Sequence, residues 1–300
     1  AHLGVVGGTD RRCRCSCCDR RRQDAVRRRC VFTTHTPVPA GHDEFQLDLV
    51  RRVLGEKRAA LLVGAQCCLN GALNMTYMGL FFSRYINGVS HRHEKISRTM
   101  FPEYPINAIT NGVHAVTWTA PSFCRLYDRY IPEWRQDTPY LRYAISIPLD
   151  DIMEAHAEAK RELLGEVERR TKVRLAPSLM TIGFGRRATE YKRADLLFSD
   201  VERLKEIARE VGPLQVIYSG KAHPRDRGGK ALIRRIYEAA AALGNTLRVV
   251  YLEEYDTALG RRMCAGVDLW LNTPRKPQEA SGTSGMKAAL NGVPSLSVLD

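Results

Sequence analysis

Leu-Met-Thr-Ile-Gly-Phe (179–184), Leu-Gln-Val-Ile-Tyr-Ser-Gly (214–220), Thr-Leu-Arg-Val-Val-Tyr-Leu (246–252), Asp-Leu-Trp-Leu-Asn-Thr (268–273) and Pro-Ser-Leu-Ser-Val-Leu (294–299) are five short, nearly continuous apolar runs. Between them lie stretches with helical spacing of apolar residues, within 191–211, around 228–243, around 256–265 and from near Thr283. Apolar strands alternating with amphipathic helices predict a parallel sheet covered on both faces, an α/β fold. Such sheets bind ligands outside the carboxyl ends of their strands. The segments to inspect are therefore 185–193, 220–228, 253–257 and 273–284.

Upstream the pattern is less regular. Residues 30–34 read as a β-rich run that breaks into a proline- and glycine-rich loop, 35–43. Helices are expected over 43–54, over 74–87 with Asn74 as cap and Gly88 as stop, over 91–100 and over 151–170. Residues 106–109 read as a strand leading into the turn Thr110-Asn111-Gly112.

The chain has 300 residues, 44% of them hydrophobic, enough for two domains. It shows neither an apolar run of membrane-spanning length nor a signal peptide, so a cytoplasmic protein without a membrane partner is expected. The formal charge of +13 raises the question of nucleic acid. Its distribution argues against that partner, because residues 1–30 hold nine arginines against three aspartates and also five of the nine cysteines. Cys13, Cys15, Cys17 and Cys18 lack the second ligand pair of a structural zinc site, and no metal is expected. An arginine- and cysteine-rich run of this kind is what a frame-shifted reading of a GC-rich gene produces. Residues 1–29 are read as non-native or disordered.

Two of the strand-end loops carry chemistry. Glu279-Ala-Ser-Gly-Thr-Ser-Gly-Met-Lys287 places glycines and small hydroxyl residues just before a helix, a pattern suited to an anion. It is not a P-loop, because the spacing differs. Residue chemistry alone favours reading Lys287 as an ordinary surface lysine on a helix over a catalytic one. Arg186-Arg187-Ala-Thr-Glu-Tyr-Lys192-Arg193 puts four cations in eight residues after a strand, which suits phosphate recognition. Gly220-Lys-Ala-His-Pro224 and His35 occupy further loop positions.

Here the chain resembles a known family. EASGTSGMKAALN (279–291) is similar to the pyridoxal phosphate attachment signature of the α-glucan phosphorylases. GFGRRATEYKRA (183–194), SGKAHP (219–224), TTHTPVPAGHDEF (33–45), NMTYMGL with SRYINGVSHRHEKISRTMF (74–80 and 83–101) and ITNGVHAVTW (109–118) resemble further blocks in family order. The shorter bacterial and archaeal branch is the most similar.

The resemblance implies two glycosyltransferase-B-like lobes with Rossmann-like sheets, here truncated at both ends. Residues 30–110 would be a remnant of the N-terminal lobe and 111–300 an incomplete cofactor-binding lobe. It implies retaining phosphorolysis of α-1,4-glucan by orthophosphate to glucose 1-phosphate, pyridoxal 5'-phosphate as cofactor, allosteric control in the family and room for a homo-oligomer of the full-length protein. By motif position Lys287 resembles the Schiff-base lysine, and Gly282, Thr283 and Ser284 would hold the cofactor phosphate. Arg187 and Lys192, with Arg186 alongside, would bind substrate or cofactor phosphate. Tyr191, Glu279, Ala280, Ser281 and Gly282 would line the glucose subsite, with His35 and Asn111 on the sugar hydroxyls. Tyr255 would lie beside the cofactor. Lys287, His35, Arg187 and Lys192 would be the catalytic set. The family's chains are longer, so residues 1–300 alone are expected to show no phosphorolysis. A nucleotide-sugar glycosyltransferase lacks the lysine signature, and a non-catalytic fragment is the other alternative.

Overall fold

The computed structural model describes residues 16–38, 41–244 and 247–299, with the side chains of 16–19 left aside. The chain divides after residue 110 into two units.

The described residues of the first unit open on helix α1, Ser16–Arg27. The expectation of disorder over 1–29 therefore meets a helix in its second half, while residues 1–15 lie outside the described residues. Arginine, glutamine and alanine are good helix formers even without an apolar stripe. The Arg27 guanidinium lies over the Phe81 ring at 5.9 Å, and the Arg27 carbonyl accepts from the amide of Arg84.

A three-stranded parallel sheet follows in the order β1-β5-β6, from β1 (Val31–Thr33), β5 (Tyr85–Gly88) and β6 (Ile106–Ala108). An antiparallel sheet runs β2-β4-β3, from β2 (Glu44–Gln46), β3 (Cys68–Leu69) and β4 (Ala72–Asn74). The helices are α2 (Leu47–Leu54), α3 (Glu56–Gly64), α4 (Met75–Phe81) and α5 (His91–Met100).

Two helices predicted from sequence are corrected here. The one over 74–87 is capped as expected, the Asn74 side chain accepting from the amides of Thr76 and Tyr77 at 2.9 and 3.1 Å. It stops at Phe81, and residues 85–88 become the central strand between β1 and β6. A short apolar run cannot by itself distinguish a buried strand from a helix. The helix over 43–54 begins only at Leu47, because Glu44–Gln46 pair with β4.

In the second unit, α6 (Ala115–Trp118), α7 (Pro121–Tyr130) and the long α8 (Leu149–Thr171) precede a five-stranded sheet. Its strands are β7 (Met180–Gly185), β8 (Leu214–Ser219), β9 (Arg248–Leu252), β10 (Leu269–Asn272) and β11 (Ser295–Ser297). They alternate with α9 (Val201–Glu210), α10 (Arg227–Leu243), α11 (Thr257–Gly266) and α12 (Thr283–Ala289). All pairings are parallel, in the order β11-β10-β7-β8-β9. This is the doubly wound order, whose direction reverses between β7 and β10.

Strand alternation explains the double cover. On β8, Ile217 faces a core with Leu163 and Val167 of α8 and Leu259 and Met263 of α11. Its neighbours Val216 and Tyr218 face the opposite core, with Leu204 of α9 and Ile236 of α10. Every residue of β8 is buried, so its sequence reads as a continuous apolar run. Among the described residues no helix is long and apolar enough to cross a membrane. Nor, among them, is any group of three or more His, Cys, Asp or Glu placed to hold a metal ion.

Candidate functional site

The reversal point fixes where to look. The strands β7 and β10 end side by side, and the loops leaving them hold the two motifs singled out in the sequence.

From β7 comes Arg186, buried, its amide donating to the Ser219 carbonyl at 3.1 Å. Its guanidinium donates to the side chain of Asn272, the last residue of β10, and pairs with Glu279 at 2.9 Å. The ammonium of Lys192, also buried, pairs with the other Glu279 oxygen. One carboxylate thus sits between two buried cations. Burial alone would push the Glu279 carboxyl up, but Arg186 and Lys192 outweigh it and hold the group below its ordinary value. Lys192 is pulled down to about 8, by burial first and then by Arg186, with Glu279 opposing. Its ammonium also lies 4.6 Å from the Tyr191 ring centroid. Burial, with Glu279 second, raises the Tyr191 phenol.

The two loops are stitched together. Arg193 donates to the carbonyls of Thr273 and Pro274, each at 2.9 Å. The Thr273 hydroxyl donates to the carbonyls of Lys192 and Arg193, and the Arg275 amide donates to the Tyr191 carbonyl at 2.7 Å. Arg187 stands exposed at the rim.

Gly282 adopts φ +66, a left-handed conformation that favours glycine, and turns the chain into α12. On either side, the hydroxyls of Ser281 and Ser284 are buried without a hydrogen-bond partner, as is the side-chain amide oxygen, Oε1, of Gln278. Orphaned buried groups of this kind ask for a ligand or water. Thr283 opens the helix and Ala280 is half-buried beside Ser281.

Lys287 is half-buried, its ammonium 3.6 Å from the centroid of the Trp118 ring. Burial lowers its pKa, with Cys264 opposing. A lysine with a lowered pKa is neutral more of the time and a better nucleophile towards a carbonyl. Tyr255 packs against the same core as Cys264. A methyl group placed on Gly185, at the end of β7, would lie 3.4 Å from the Tyr255 hydroxyl. Burial and then Cys264 raise that phenol.

Arg186, Tyr191, Lys192 and Glu279 are therefore brought together, and Lys287 and Tyr255 both neighbour Cys264. His35 stands in the first unit, exposed, in the loop after β1, and Asn111 opens the second unit, half-buried. Sequence reasoning missed Asn272, Trp118 and Asn291. A signal existed for the last two, since both stand in motif strings, Trp118 closing 109–118 and Asn291 closing 279–291.

Known proteins resemble the chain in sequence over most of its length. A family model described as "Carbohydrate phosphorylase" matches residues 62–300. The chain is 41% identical to a maltodextrin phosphorylase of Thermococcus litoralis, over 92% of the chain and 37% of that protein. It is 38% identical to a glycogen phosphorylase of Aquifex aeolicus, over 92% of the chain and 45% of that protein. A glycogen phosphorylase of Mycobacterium tuberculosis is 37% identical, over 92% of the chain and 37% of its own length. The chain thus spans less than half the length of these relatives. A parallel α/β sheet with its charged loops at the reversal point and a family match over most of the sequence lead to one assignment: this chain belongs to the carbohydrate phosphorylase family.

Proposed function

We propose that the protein of which this chain is at least a part is an α-1,4-glucan phosphorylase, transferring a terminal glucose to orthophosphate with retention to give glucose 1-phosphate. The observation that carries the reading is the buried Arg186–Glu279–Lys192 cluster at the reversal point of the sheet. Two cations suit a phosphate, and a carboxylate that accepts only suits sugar hydroxyls. Glu279 compensates both cations. An arriving phosphate would take over part of that role and free carboxylate oxygens for the sugar.

The residues fit pyridoxal 5'-phosphate. Lys287 would hold it covalently, with Gly282, Thr283 and Ser284 around its phosphate and Tyr255 alongside. The support is the lowered Lys287 pKa and the orphaned Ser281 and Ser284 hydroxyls. When bound, the cofactor supplies a phosphate group able to give and take a proton near neutral pH. Arg187 adds a third cation at the rim. His35 and Asn111 contribute sugar contacts on the strength of the resemblance. Two glycosyltransferase-B-like lobes belong to the same reading, residues 30–110 from one and 111–300 from the other.

Incubation with pyridoxal phosphate, borohydride reduction and peptide mapping test the lysine. The label is expected on Lys287, and a label on another lysine removes the assignment. In an active phosphorolysis assay, Arg187→Ala or Lys192→Ala should raise the orthophosphate requirement far more than the glucan requirement. Losing a charge-assisted bond of about 1.5–3 kcal/mol corresponds to roughly ten- to a hundredfold. Unchanged phosphate dependence in both variants contradicts the reading.

A further inference from the structure

The carboxamide of Asn291 is completely buried, at 0% exposure, yet every bond it makes leads to the surroundings of Lys287. Its Nδ2 donates to the Lys287 carbonyl at 2.9 Å, one turn back along the chain. The same Nδ2 donates to the Trp118 carbonyl at 2.9 Å, and its Oδ1 accepts from the Ala120 amide at 2.7 Å. Trp118 and Ala120 are more than 170 residues away in sequence, with partner separations of 173 and 171. A neutral amide presents two donors and an acceptor on one rigid plane. It can therefore tie two backbone segments without introducing a charge into a core. The segments it ties carry the two members of one contact, since the Trp118 ring lies on the Lys287 ammonium at 3.6 Å.

We propose that Asn291 is a positioning residue for Lys287: it fixes the backbones of Trp118 and Lys287 to each other so that the indole face covers the amine. The position of a lysine amine is otherwise loosely set, since its flexible four-carbon stem samples many rotamers. Resting the amine on a fixed aromatic face removes much of that freedom before any ligand arrives. The lowered Lys287 pKa is in keeping with an amine shielded from water. A second tie to the same helix end makes a useful comparison. The Tyr127 hydroxyl donates to the Leu290 carbonyl at 2.9 Å, but touches neither Trp118 nor Lys287 through a hydrogen bond. The purpose of the device rests on reading Lys287 as the cofactor lysine, whereas its existence does not.

The test is trace acetylation of the intact chain without cofactor, through a pH series, with each lysine mapped. The limiting rate at Lys287 is expressed relative to exposed Lys230. It should rise several-fold in Asn291→Asp, which keeps the acceptor for Ala120 and loses both donations, and in Trp118→Ala, which removes the cover. Tyr127→Phe should leave it unchanged. An unchanged rate in a folded Asn291→Asp protein overturns the proposal, as does an equal rise in Tyr127→Phe. Should Asn291→Asp not fold, Trp118→Ala decides, because an unchanged Lys287 rate there removes the contact Asn291 is said to hold. Failure of Lys287 to take up pyridoxal phosphate in the unaltered chain would count only against the functional reading, since acetylation needs no cofactor.

Discussion

At the residue scale the strongest constraints lie where β7 and β8 end. A Cβ on Gly220 would collide with the carbonyl oxygen of Arg186, a backbone atom that cannot swing away. Gly220→Ala should therefore cost about 1–3 kcal/mol, as overpacking does, seen as a lower urea midpoint at unchanged slope. Glu279 is the other sensitive point. Replacing it with alanine leaves Arg186 and Lys192 buried without their carboxylate, and breaking a buried pair costs about 3–5 kcal/mol. Lys192 adds a pH signature. Its folded value of about 8 lies below the 10.5 of an ordinary lysine, so between those values the unfolded chain holds more protons. Stability from this group therefore rises with pH across that window. Lys192→Met should lack the rise, measurable as a flatter dependence of urea midpoint on pH. The cations and the glycine-rich loop were legible in the sequence because charge and glycine carry local meaning. Asn272 was not, because its role is to meet Arg186 from 86 positions away.

At the element scale, α8 is fastened to the amino-terminal edge of the sheet by one carboxylate. Asp268, just before β10, accepts from Lys160 at 2.6 Å and from the Thr181 amide at 2.7 Å, and pairs with His156 at 2.8 Å. Lys160 also donates to the Leu179 carbonyl at 2.8 Å. Burial opposes ionisation of Asp268, but His156, Lys160 and the Thr181 amide together hold its carboxyl below the usual range. A depressed carboxylate stabilises fully above its unfolded value and ceases to as pH falls through its folded one. Asp268→Asn should thus remove part of the acid sensitivity of unfolding. Asp268→Ala should cost about 3 kcal/mol, the lower end for a broken buried pair because the site is partly open to water. The elements themselves were read well in the second unit, where β7, β8 and β10 are buried along most of their length and alternate with amphipathic helices. Residues 85–88 were misread as helix because only pairing with β1 and β6 makes them a strand. The antiparallel sheet of β2, β3 and β4 was missed, since strands of two or three residues are too short to show a period.

At the scale of the whole molecule, the sequence by itself determined the α/β class, the parallel sheet of residues 180–297 and the loops that carry charge. It could do so because burial of the central strands β7, β8 and β10 writes nearly continuous apolar runs, and because cations and glycines at strand ends have few other uses. The motif strings also sufficed to point to the family that the comparisons show. Only the tertiary structure decided the strand order β11-β10-β7-β8-β9, and with it the meeting of the two charged loops at one point. Only there does Glu279 find both Arg186 and Lys192, and Lys287 the face of Trp118. The physical reason is common to all these contacts. Local propensity and periodicity act over a few residues, whereas a buried polar group must be satisfied by whichever partner the fold delivers, however far away in the chain. Asn291, joined to a backbone 173 residues distant, is the clearest instance.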